Sequence, residues 1–87
     1  MAYDFQSADI AAMGASGNPE TLFELGVLYA TGRSGSMDLV TAHKWFNLAA
    51  LKGNEAAKSQ RREIASQMSK EEIASAQKAA REWITLH

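Results

Sequence analysis

The sequence contains no cysteine, which removes disulfides, thiolate metal sites and cysteine nucleophiles together. Its histidines are His43 and His87 alone. A metal centre needs several ligands, and neither a histidine nor a carboxylate stands four residues after His43. No apolar run approaches the ~20 residues needed to cross a bilayer. The opening residues, MAYDFQSAD, have neither a basic start nor an apolar stretch of signal-peptide length. A cytoplasmic location without membrane insertion is therefore expected. Nine basic residues face ten acidic ones, for a net charge of −1. Nucleic-acid binding more often goes with a strong basic excess, so no nucleic-acid partner is expected. No alternating pattern of strand length occurs, and the one proline, Pro19, suits a first helical turn where its missing N–H does no harm.

What is present is helix. The chain has 87 residues, enough for one small domain, here taken as 1–87. A domain of this size buries only about 60–65% of its unfolded surface, so its stability margin is modest. Hydrophobic residues make up 46% and charged ones 22%, ordinary for a globular domain. The charge is unevenly spread. Residues 1–51 hold two basic against five acidic side chains, and residues 52–87 hold seven against five.

The organising stretch runs from Leu22 to Gly53. Leu22, Leu25, Gly26 and Tyr29 fall on one helical face, while Phe23, Val27, Leu28 and Ala30 make the helix apolar nearly all round, a mark of burial on several sides. Gly26 costs about 1 kcal/mol relative to alanine. A close approach by a second helix is the expected compensation. Gly32 ends this helix as a left-handed residue, and Arg33 to Ser36 turn the chain. Asp38 caps the next helix, whose inner face is Leu39, Ala42, Trp45, Phe46, Ala49 and Ala50. Gly53 ends it.

The flanks echo this core. Ser7 can cap a short helix over 8–15. Gly17-Asn18 recurs as Gly53-Asn54, and at the same interval of 36 Ile10, Met13 and Gly14 match Phe46, Ala49 and Ala50. A second echo sets Ala42-x-x-Trp45-Phe46 against Ala80-x-x-Trp83-Ile84 at an interval of 38. A third helix is expected over 55–67, with Ala57, Arg61, Ile64 and Met68 inward. Ser69 and Glu72 form a capping box. A last helix follows over 70–85, with Ile73, Ala76, Gln77, Ala80, Trp83 and Ile84 inward.

The segment LGVLYATG, the span to Asp38 and then AHKWFNLAALKGN resemble the Sel-one-like repeat, a relative of the tetratricopeptide repeat. Leu25, Gly26, Tyr29, Gly32, Asp38, Ala42, Trp45, Ala49, Ala50 and Gly53 occupy the positions of that pattern. Residues 54–87 match in outline, like the closing helices that often follow such repeats in bacterial proteins. Ser34 and Gly35 replace the family's second loop glycine and its valine, and Met37 is placed to supply the lost anchor. The resemblance implies an all-α superhelix of α/α hairpins, a short solenoid of about two hairpins plus an N-terminal half-repeat: helix 8–15, a full repeat over 19–53 and a closing hairpin over 54–86. It also implies a scaffold or adaptor role.

Catalytic chemistry finds little purchase. His43 lies beside the core stripe and reads as a solvated or rim histidine. Serines sit at caps and turns, acidic pairs lie in first turns, and Gly32-Arg33-Ser34-Gly35 lacks the ending of a phosphate loop. No enzyme activity, cofactor or metal is expected. The expected function is binding of a protein or peptide in a concave helical groove, with Phe23, Glu24, Val27, Thr31, Lys58 and Arg62 as candidate contacts. For Phe23 and Val27, packing against the N-terminal half-repeat is an equal reading. The alternative is self-association into a homo-oligomer through Trp83, Ile84 and Leu86 at the open end of the stack.

Overall fold

The computed structural model describes residues 17–33 and 35–86. The expected helix over 8–15, with its matches to the later units, and His87 and Ser34 lie outside the described residues. Among the described residues there are four α-helices and no strand: α1 (Pro19–Ala30), α2 (Leu39–Leu51), α3 (Glu55–Ala65) and α4 (Lys70–Leu86). The fold is all-helical.

Local chemistry sets each boundary. The Asn18 side chain accepts from the Glu20 and Thr21 amides at 2.9 and 3.2 Å, with Pro19 in the first turn. Asp38 accepts from the Thr41 amide and the Thr41 hydroxyl at 3.1 and 2.7 Å. Asn54 accepts from the Ala57 amide at 2.9 Å. The Ser69 amide donates to Glu72 Oε1 at 2.8 Å and the Glu72 amide donates to Ser69 Oγ at 3.1 Å, which is the capping box read from the sequence. Helices α1 and α2 close on Gly32 (φ +79°) and Gly53 (φ +100°). The residue after each glycine donates its amide five residues back, Arg33 to Leu28 and Asn54 to Ala49, so orphan carbonyls are satisfied in the Schellman manner.

Helix α2 is the hub. It packs against α1, α3 and α4, while the other helix pairs touch little. Leu22, Leu25, Leu28, Ala42, Trp45, Phe46, Leu48 and Ala49 are buried at its centre. Gly26 is where α1 comes closest: a Cβ there would sit 2.5 Å from two atoms of the Phe46 ring. The close approach expected of that glycine is present. At the interval of 36, Arg62 of α3 stands where α1 has Gly26, and no equally close pairing joins α3 to α4.

Four local expectations need correction. His43 is buried, 3% exposed, rather than solvated. Met37 is 65% exposed and anchors nothing in the turn. That turn is held instead by main-chain bonds, the Asp38 amide donating to Tyr29 O at 3.0 Å. On α4, Ala76 and Ala80 are buried, but Gln77 and Ile84 face outward. The inner stripe of α4 is therefore narrower than its apolar residues suggest.

Candidate functional site

The six groove candidates divide by helix and by exposure. On α1, the half-buried Phe23 tilts against Phe46 with ring centroids 5.5 Å apart, and Val27 also packs on the core. Glu24 and Thr31 are exposed. The Thr31 hydroxyl is spent on the Val27 carbonyl at 2.7 Å. On α3, Lys58 and Arg62 are exposed, and Lys58 pairs with Glu55 at 3.1 Å. An exposed pair of this kind contributes well under ~1 kcal/mol. Glu24 and Arg62 make no ion pair with other described residues.

The end-of-stack candidates lie on α4. Trp83 is half-buried, edge-on to Trp45 at 5.0 Å and 76°. Ile84 and Leu86 are 53% and 77% exposed. A shallow open depression follows the same helix, lined by Lys78, Arg81, Glu82, Thr85 and Leu86. No group of three or more histidine or carboxylate side chains among the described residues could hold a metal ion. No described helix is long and apolar enough to cross a membrane.

No family model, no curated protein and no solved structure matches the chain. The residues alone therefore carry the functional argument.

Two polar arrangements escaped the sequence reading. The first is a seam between α2 and α3. Arg61 Nη1 donates to the Asn47 side chain and places its charge near His43. Burial lowers the His43 pKa from 6.5, and the Arg61 charge lowers it further. The second lies between α2 and α4. Lys44 Nζ sits 4.4 Å from the Trp45 ring centroid and 4.7 Å from that of Trp83. Burial pushes the Lys44 pKa down, and Glu82 opposes the shift. The repetition of Trp45 at Trp83 was the available signal. A lysine held between two indole faces is favourable by cation–π attraction, but which rings share one cation depends on helix docking.

Proposed function

We propose that this chain is a non-catalytic protein-interaction module, an adaptor that holds a peptide or partner helix in a concave groove lined by α1 and α3. The observation that carries the reading is the pair Glu24 and Arg62. Helices α1 and α3 both pack on α2, and each keeps an exposed charge that no described neighbour neutralises. Opposite charges on flanking helices would fix the direction of an incoming segment. Phe23 and Val27, half-buried beside them, would add apolar contact at the edge of the core. The likeness of Leu25 to Gly53 to the Sel-one-like repeat supports the same role. We read the helices as a short superhelical stack of hairpins working in the cytoplasm, without nucleic acid or cofactor.

The test is capture from a lysate of the source cells by wild-type protein and by the Glu24→Lys, Arg62→Glu double variant. Loss of specific captured proteins from the double variant is expected. Identical capture by both would sink the placement of the groove. The exposure of Ile84 and Leu86 favours a second reading, self-association through Trp83, Ile84 and Leu86. Sedimentation velocity over a concentration series decides it, since a strict monomer throughout removes that reading.

A further inference from the structure

His43 and Asn47 stand one helical turn apart on the same face of α2. Arg61 of α3 bonds the Asn47 side chain, and its charge acts on His43. The face of α2 that receives α3 therefore carries the imidazole. That ring is 3% exposed, and its Nδ1 has no hydrogen-bond partner among the described residues. A neutral imidazole tolerates such a place. An imidazolium there would be out of water, beside a guanidinium and without an acceptor.

The surrounding charges leave that cost standing. From α3, Arg61 is the group that acts on His43. Glu55 and Lys58 of α3 pair with each other, and Arg62 and Glu63 are exposed. On α1, Glu20 and Glu24 are exposed, and neither acts on the ring. On α4, Glu82 acts on Lys44 of α2 instead and lies 4.0 Å from Lys78, while Arg81 is exposed. Burial and then Arg61 disfavour a proton on His43, and the ring's contact with its own backbone opposes them only in part.

Helix α3 is also lightly held. Its buried residues are Ala57 and Ile64, against Leu22, Leu25, Gly26 and Leu28 on α1. It packs on α2 and touches α1 and α4 little. An element with few buried apolar contacts opens at lower free energy than the whole fold.

We propose that α3 is a proton-gated wall: acidification charges His43 and releases α3 from α2 while α1 and α2 stay packed. The ring takes a proton more readily with α3 away than with α3 docked. Docking is therefore fullest above the ordinary histidine range and weakens as pH falls through it. Exposed carboxylates, which titrate near pH 4, stay charged down to about pH 5. Because α3 carries Lys58 and Arg62, a segment held in the groove would lose one wall. That consequence rests on the reading of the chain as an interaction module, whereas the opening is measured on the protein alone.

The test is native-state amide hydrogen exchange on the full chain at about pH 7.5 and about pH 5, corrected for intrinsic rates. Protection of the α3 amides should lie below that of Ala42 to Ala50 at both values. It should fall several-fold at the lower one, with a ceiling of about thirtyfold for an exposed histidine titrating near 6.5. His43→Gln should erase the fall. Arg61→Gln, which keeps a polar group toward Asn47 and removes the charge, should reduce it. His87→Gln should leave it intact. Indifference of the α3 amides to pH, beside falling protection in Ala42 to Ala50, would overturn the proposal, because His43 would then be uncovered by global unfolding alone. Equal protection of α3 and α2 would also overturn it, as would a fall that persists in His43→Gln.

Discussion

Replacing Gly26 by alanine sets helix propensity against packing. In an isolated helix the change would stabilise by about 1 kcal/mol. Here the new Cβ would lie 2.5 Å from two carbons of the Phe46 ring and 2.9 Å from a third. The ring is 0% exposed and Phe23 stands against it, so it has no open space to swing into. Overpacking a tight core costs about 1–3 kcal/mol, and a rigid aromatic neighbour places the cost at the upper end. After the propensity gain, Gly26→Ala should destabilise by about 1–2 kcal/mol. For a domain of this size each kcal/mol moves Tm by about 4–8 °C, so a fall of roughly 5–15 °C is expected in thermal melts followed by circular dichroism. Adding Phe46→Leu should cost less in the Gly26→Ala background than in wild type, since the clash is then relieved. A raised Tm for Gly26→Ala, or strict additivity with Phe46→Leu, would refute the close-approach argument.

Three further outcomes follow from the same packing. His43 has a folded pKa below its ordinary 6.5, so the unfolded chain binds the extra proton more readily. Stability should be fully present above that value and decline as pH falls through it. Urea midpoints between about pH 5 and 7 should show the slope and His43→Gln should flatten it; a midpoint rising on acidification would contradict the burial of His43. Trp83→Ala removes a half-buried indole from Trp45 and should cost about 2–3 kcal/mol, read as a lower urea midpoint; an unchanged midpoint would mean α4 does not dock there. Asp38→Ala removes the cap of α2 and should cost about 1 kcal/mol, with Asp38→Asn close to wild type in the same assay; equal losses from both would point to charge rather than capping.

The helices and their ends were legible because they depend on local chemistry. Asp38, Gly32, Gly53 and the Ser69–Glu72 box announce their roles within a few residues, and each makes the bond its position implies. Gly26 was legible as a close approach, though only the structure names Phe46 as what approaches. A polar side chain beside an apolar stripe looks solvated in a sequence, whereas His43 is buried with the Arg61 charge near it. Arg61 sat on the inner stripe of its helix by spacing alone, and the reason, its reach to Asn47, is a contact between helices. Periodicity along α4 points Ile84 and Gln77 inward, yet its buried residues are Ala76 and Ala80 alone. The echo of Trp45 at Trp83 was visible in the chain, but that the two rings touch and share Lys44 was not. Helical phase gives a face, and only docking gives its partner.

Amide hydrogen exchange tests the hub most directly. With α2 covered by three helices, its amides from Ala42 to Ala50 should exchange slowest of all, at the rate of global unfolding, while α4 opens earlier by local release. Slowest exchange in α4, with α2 opening first, would contradict the architecture on which the proposed groove is placed.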